Sequence, residues 1–105
     1  MRFRILQIKD IAGTDYAFRP YAADKFNIED YEITYSDEVD TNSAETLSDY
    51  EICEYLFVIF NSNRPKDFKG HSLSISDLVH LESDGTCRLY YCDTFGWKKI
   101  KECRS

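Results

Sequence analysis

The sequence predicts an α+β domain: an antiparallel sheet of about five strands with one principal helix packed on it, and a C-terminal three-strand meander. One stretch, 44–60, repeats apolar residues every three to four positions, which is typical of an amphipathic helix. The other apolar residues fall in short runs rich in Tyr, Phe, Ile and Val, which favours strands. With 105 residues, the chain is expected to form a single domain over 1–105.

The first part of the chain contains two predicted strands. Residues 2–8 carry apolar side chains on both sides, which indicates a strand covered on both faces. The segment 16–21 is expected to be extended, and Pro20 then permits one or two helical turns over 22–26. The second strand is predicted over 31–39, because alternate apolar residues there would share one face: Tyr31, Ile33 and Tyr35.

The predicted helix runs from 44 to about 60 and is preceded by three candidate N-cap residues: Thr41, Asn42 and Ser43. Its last turns, 55–60, are apolar all round, so we expect this end of the helix to be buried. Pro65 prevents the helix from continuing.

The segment 61–79, which we call the joint, connects the helix to the last three strands. Asn, Pro, Asp, Gly and Ser dominate it, and these residues form turns and bond to nearby backbone, so a well-defined connection is predicted. Gly70 is expected to adopt a positive φ angle. Strands then follow at 78–82, 86–93 and 97–101, with a hairpin turn at Asp84-Gly85.

Acidic residues are concentrated in 24–54, where the net charge is −10, while 1–23 and 55–105 each carry +2 and the whole chain −6. Such a block is either a solvated surface around a helix start or a docking surface for a basic partner. Nucleic acid is not an expected partner, because the one basic cluster is small and near the chain end: Lys98, Lys99, Lys101 and Arg104.

The four cysteines are expected to be reduced thiols, with Cys53 and one of Cys87 and Cys92 buried as small apolar residues. Cys87 and Cys92 would point to opposite faces of a regular strand. A zinc site that uses these four cysteines, Cys103 included, with His71 or His80 is the alternative. No pair has the spacing that places two sulfurs on one ion, so neither a metal nor a cofactor is predicted.

The chain is expected to be cytoplasmic, without a membrane contact. No apolar run approaches the roughly 20 residues that cross a bilayer, and residues 1–8 have the pattern of a strand rather than of a signal peptide. Catalysis is not expected either. The joint offers His71, serines and two aspartates, but no nucleophile elbow and no phosphate-binding glycine loop.

Two stretches resemble the YodL-like domain family of bacteria. One is Asn-Arg-Pro-Lys-Asp-Phe-Lys-Gly-His-Ser and the residues after it, over 63–79; the other is the tyrosine-rich strand with its Asp turn and Gly-aromatic pair, over 90–100. Residues 3–8 and 16–18 are also similar, so the resemblance covers nearly the whole chain. The sequence departs from the family pattern at Ile75, Leu78 and Trp97, where each replaces a similar apolar or aromatic residue. The acidic segment 24–54 is the least similar part. The resemblance implies a small intracellular bacterial domain, found alone or in larger proteins of mobile elements, and implies no catalytic mechanism.

We therefore expect a non-enzymatic protein-interaction module with an unidentified protein partner, and the sequence predicts no oligomeric state. Acidic groups around aromatic anchors form the predicted binding surface, together with the joint: Tyr35, Asp37, Glu38, Asp40, His71 and Ser72. One alternative is a small-ligand or enzyme site lined by His71, Ser72, Ser74, Asp93 and Trp97. Another is an acidic decoy that resembles DNA.

Overall fold

Five strands form one antiparallel sheet, and one α-helix packs against it, in a computed structural model that describes residues 1–39 and 47–104 except the side chain of Arg104. The strand order is β2-β1-β3-β4-β5. The elements are β1 (Arg2–Ile8), β2 (Tyr31–Glu38), α1 (Asp49–Ser62), β3 (Leu78–Ser83), β4 (Thr86–Asp93) and β5 (Gly96–Arg104), with a 3-10 turn at Ile28–Asp30. This confirms the predicted α+β class and the C-terminal meander.

The main core lies between α1 and one face of the sheet, which we call the helix face. Helix residues spaced three to four apart are buried there, as the sequence predicts, against alternate residues of β1 and β3. The buried set is Phe3, Ile5, Ile52, Cys53, Leu56, Phe60, Leu73, Val79 and Leu81. Each large apolar side chain buried in this way contributes about 1.5–3 kcal/mol to stability.

The opposite face, which we call the second face, is covered in part by the chain between β1 and β2. Its buried residues are Ile8, Tyr16, Tyr31, Leu78, Leu89 and Tyr91, and Tyr21 and Phe26 pack against them. β1 thus has buried residues on both of its faces, in agreement with the sequence. This segment covers only part of the second face, and the described residues leave the rest of that face open.

The segment 16–21 is not extended, and that prediction is wrong. It forms successive turns, with Ala17 N donating to Thr14 O and Arg19 N to Tyr16 O. The chain folds back here because the Tyr16 ring is buried and its hydroxyl donates to Asp30 Oδ2 at 2.7 Å. The helical turns predicted over 22–26 are one turn in the structure, in which Ala22 O accepts hydrogen bonds from Lys25 N and Phe26 N.

The helix begins later than predicted. Ser48 is its N-cap and forms a capping box with Glu51, each backbone N–H donating to the other side chain at 3.2 Å. The proposed caps Thr41, Asn42 and Ser43 lie outside the described residues. The end is not buried all round either: Tyr55 and Val58 are 56% and 58% exposed, because only one side of α1 meets the sheet.

β2 changes face halfway along its length, which the sequence did not predict. Ile5 pairs with Tyr35 but Leu6 pairs with Ile33, so Thr34 is an extra residue in a β-bulge. Tyr31 and Ile33 therefore point to the second face and Tyr35 to the helix face. The prediction that all three share one face is wrong because strict alternation does not survive the bulge.

The last three strands match their predicted positions, although β5 extends to Arg104. Asp84 and Gly85 have φ angles of 50° and 74°, as a two-residue hairpin turn with positive φ at both positions requires. Cys53 and Cys92 are buried, as predicted, whereas Cys87 is half-buried and Cys103 exposed.

Candidate functional site

A groove lies between α1 and the edge strand β2, and we call it the acidic groove. Its volume is about 510 Å³. Buried apolar residues of the core form part of its lining, and exposed residues from β2 and α1 complete it. The lining residues are Phe3, Tyr35, Asp37, Glu38, Val39, Leu47, Ile52, Tyr55, Leu56, Ile59, Phe60 and Pro65.

Tyr35 enters this groove because the bulge turns it to the helix face. Its ring centroid lies 5.1 Å from that of Phe60 and 6.2 Å from that of Phe68. Its hydroxyl donates to Asp37 Oδ2 at 3.1 Å. Loss of hydration and the neighbouring Asp37 carboxylate raise the pKa of Tyr35, so the hydroxyl stays a neutral donor.

The two carboxylates of the groove are exposed and differently paired. Glu38 Oε1 accepts from Arg2 Nη2 at 3.2 Å, an exposed ion pair of the kind that contributes little to stability. Asp37 Oδ1 accepts from the backbone N–H of Glu38 at 2.8 Å. Asp40, which was predicted to belong to the same surface, lies outside the described residues. The structure thus brings Tyr35, Asp37 and Glu38 together at the sheet edge that β2 forms.

His71 belongs to a different site, which we call the polar cluster (Gln7, His71, Ser74 and Asp77), and Ser72 lies beside it. Gln7 is 2% exposed, and its Nε2 donates to Asp77 Oδ2 at 3.0 Å and to His71 O at 2.9 Å. Asp77 Oδ2 also accepts from Ser74 N at 2.8 Å. Ser72 is exposed, and its carbonyl accepts from the hydroxyl of Ser74. These bonds fasten the joint to β1.

The imidazole of His71 lies among three polar neighbours. Its Nδ1 is 2.7 Å from Ser72 O and 3.4 Å from Gln7 Nε2. Its Nε2 faces Asp77 Oδ1 at 3.9 Å. Burial raises the pKa of Asp77 to about 6, against the lowering effect of the Gln7 and Ser74 hydrogen bonds and of His71. Asp77 therefore gains a proton more readily than an exposed aspartate does.

Gly70 is required here for space and not for its φ angle. Its φ is not in the positive range, so the prediction of a positive φ is wrong. A Cβ atom at Gly70 would instead overlap Gln7 Oε1 and lie 2.9 Å from Gln7 Cδ. Gln7 Oε1 is buried and accepts no hydrogen bond from the described residues. Gln7 was not among the predicted site residues, although a polar residue between Ile5 and Ile8 of a buried strand is a detectable signal.

Two residues other than glycine hold positive φ angles beside the polar cluster: Phe18 (62°) and Ser76 (86°). They contact each other, since Phe18 N donates to Ser76 Oγ at 3.0 Å. Tyr31 OH donates to Ser76 O at 2.6 Å, and the Phe18 ring packs edge-on against His71. The surrounding hydrogen bonds hold this strained backbone in place.

The residues of the alternative small-ligand or enzyme site lie in two separate places. His71, Ser72 and Ser74 lie in the joint, whereas Asp93 and Trp97 line a shallow depression at the β4–β5 turn. The five residues share no cavity in the described part of the chain. Beside that depression Phe95 is 98% exposed, and the Trp97 ring packs edge-on against Phe57 at 6.4 Å.

The open part of the second face forms an apolar hollow of about 530 Å³. Its lining is largely aliphatic and aromatic, with a few polar and thiol groups: Arg4, Leu6, Tyr21, Phe26, Ile28, Ile33, His80, Cys87, Leu89, Ile100, Lys101 and Cys103. Burial lowers the pKa of His80, and the nearby Arg4 guanidinium lowers it further. The hollow was not predicted from the sequence, since its extent depends on how much of the sheet the segment before β2 covers.

Within residues 1–39 and 47–104, no three His, Cys, Asp or Glu side chains are arranged to hold a metal ion. The only α-helix of this part, α1, is too short to cross a membrane.

The fold and its surfaces define a small α+β domain with one helix on a five-stranded antiparallel sheet and an acidic groove at the sheet edge. The chain belongs to the YodL-like domain family, whose model matches residues 2–102. This confirms the resemblance seen in the sequence. Searches of curated proteins and of solved structures gave no match.

Proposed function

We propose that this domain is a protein-interaction module that binds an extended segment of a partner, rich in basic and apolar residues, along β2 and in the acidic groove. The observation that carries this proposal is the combination in one place of a sheet edge, an apolar floor and exposed carboxylates. A strand added to such an edge gains backbone hydrogen bonds, while its alternate side chains enter the groove.

The two edges of the sheet differ in charge, which favours β2 for a basic partner. β2 carries the exposed acids Glu32, Asp37 and Glu38. β5 carries the exposed bases Lys98, Lys99 and Lys101. Lysines on an edge strand discourage pairing with further strands, and here they would also repel a basic segment. The acids of β2 would attract it and speed its association.

Apolar contact would supply most of the affinity. Tyr55 lies on the groove and is 56% exposed, so it offers a large ring to a partner without supporting the core. Aromatic residues of this kind are frequent hot spots in interfaces. Since charges are screened beyond about 8 Å at physiological ionic strength, binding should weaken as salt rises.

We also propose that the domain has no catalytic activity. Asp77, the acid with the raised pKa, is 1% exposed and accepts hydrogen bonds from Gln7 and Ser74. These bonds fix the joint and leave no room for a substrate at Asp77. This observation supports a structural role for the polar cluster.

The test is selection from a library of displayed random peptides, followed by affinity measurement with the enriched peptides. We expect enrichment of Lys and Arg beside aliphatic and aromatic residues. The double variant Asp37→Lys/Glu38→Lys should lose at least tenfold in affinity at low salt. Asp15→Lys/Asp24→Lys is the matched control, because both residues are exposed acids away from the groove.

A second pair of variants tests the apolar part of the site. Tyr55→Ala should weaken binding, whereas Val58→Ala should not, because Val58 is equally exposed on α1 but does not line the groove. Equal affinities for the parent and both groove variants, with folding verified by circular dichroism, would refute the proposal.

A further inference from the structure

Two thiols lie side by side on the second face of the sheet. Cys87 on β4 and Cys103 on β5 are directly opposite each other in the antiparallel register. Both line the apolar hollow, so their side chains are on the same face. On the other side of Cys87, its register partner on β3 is Glu82.

The separation of opposite residues in an antiparallel pair suits a disulfide. Their Cα atoms lie about 4.5 or 5.5 Å apart, depending on the type of pair, and disulfides span Cα distances of about 4.4–6.8 Å. A bond between Cys87 and Cys103 therefore requires side-chain rotation and no rearrangement of the strands.

We propose that Cys87 and Cys103 form a redox-active dithiol, which two-electron oxidants of the peroxide class convert into an intramolecular disulfide. Cys103 reacts first, because it is exposed whereas Cys87 is half-buried. Its thiolate attacks one oxygen of hydrogen peroxide, the O–O bond breaks, and the products are a sulfenic acid and hydroxide.

Cys87 then resolves the sulfenic acid. Its sulfur attacks the sulfur of Cys103, the S–O bond breaks, and the oxygen leaves as water while the S–S bond forms. The proton of the Cys87 thiol has a nearby acceptor, since its Sγ lies 3.7 Å from Glu82 Oε2. In total two thiols lose two electrons, and one peroxide is reduced to two waters once hydroxide is protonated.

The other two cysteines are shielded from this chemistry. Cys53 is fully buried and Cys92 is 5% exposed. Burial raises the pKa of both, that of Cys92 to about 12, so little thiolate is present at neutral pH. Oxidation should therefore be selective for Cys87 and Cys103.

The experiment treats the purified chain with hydrogen peroxide, blocks remaining thiols after denaturation and digests it with trypsin. The sequence places each cysteine in a separate tryptic peptide, with Cys87 in 70–88 and Cys103 in 102–104. We expect a cross-link between these two peptides, with Cys53 and Cys92 recovered as blocked thiols. In Cys87→Ser, a sulfenic acid should persist at Cys103 and be trapped by dimedone, at least tenfold above the parent chain.

Two outcomes would overturn the proposal. One is a cross-link that joins two chains or involves Cys53 or Cys92 in place of the 87–103 pair. The other is equal accumulation of sulfenic or sulfinic acid at Cys103 in the parent and in Cys87→Ser, since Cys87 then does not act on it. Cys92→Ser is the matched control and should behave as the parent.

Discussion

Gly70→Ala should be strongly destabilising, for a reason that concerns Gln7 and not the backbone of Gly70. The new methyl group would overlap Gln7 Oε1, so the amide must move. Its two hydrogen bonds, to Asp77 Oδ2 and to His71 O, would be lost or weakened. A hydrogen bond to a charged group contributes about 1.5–3 kcal/mol and one to a neutral carbonyl about 1 kcal/mol. The expected loss in the free energy of unfolding is therefore about 2–4 kcal/mol.

A double-mutant cycle measured by urea unfolding separates the two explanations. If overlap with Gln7 is the cause, Gly70→Ala should cost less than about 1 kcal/mol in a Gln7→Ala background. A small residual cost is expected because the methyl group would still lie 3.1 Å from Phe68 Cε1. Gly85→Ala is the control: its φ of 74° predicts a cost of about 1 kcal/mol in both backgrounds. An equal cost of Gly70→Ala with and without Gln7 would refute the overlap argument.

Two further predictions concern buried charges. The pKa of Asp77, about 6 in the folded chain, exceeds the roughly 3.9 of an unfolded aspartate, so the folded state binds more protons between these values. The contribution of Asp77 to the free energy of unfolding should therefore fall by about 2–3 kcal/mol as pH rises from about 4 to about 6 and then level off. The measurement is the difference in unfolding free energy between the parent and Asp77→Asn across this pH range, and a difference that does not change with pH would contradict the assignment. Arg88→Met should cost about 2–4 kcal/mol in urea unfolding, since Arg88 Nε and Nη2 hold Asp49 at 2.8 and 2.9 Å and the carboxylate would lose its charged partner. A loss below about 0.5 kcal/mol would show that the ion pair does not stabilise the contact of α1 with β4.

Local chemistry made much of the fold predictable. The hairpin at Asp84-Gly85 follows from two residues that tolerate positive φ, and the buried side of α1 follows from the spacing of Ile52, Leu56 and Phe60. The helix start was misplaced because several candidate cap residues precede it; in the structure Ser48 is the N-cap and forms a capping box with Glu51.

The sites were less predictable because they depend on long-range contacts. Tyr35, Asp37 and Glu38 were identified from charge and aromatic content, and the structure places them on one groove. His71 was grouped with them, yet its neighbours are Gln7 and Asp77, which are far apart in sequence. Periodicity and composition describe residues that are close along the chain. Neither could therefore predict that Gln7 of β1 contacts His71 and Asp77 of the joint.

The bulge at Thr34 allows β2 to line two concave surfaces on opposite faces of the sheet, the apolar hollow and the acidic groove. Before it, Ile33 faces the apolar hollow; after it, Tyr35 faces the acidic groove. A regular β2 would place Tyr35 on the second face and remove its ring from Phe60 and Phe68. The aromatic floor that adjoins the acidic side chains therefore exists because one extra residue interrupts the alternation of β2. Thr34 is thus the reason that Tyr31, Ile33 and Tyr35 do not share one face, and it places Tyr35 on the surface to which we assign partner binding.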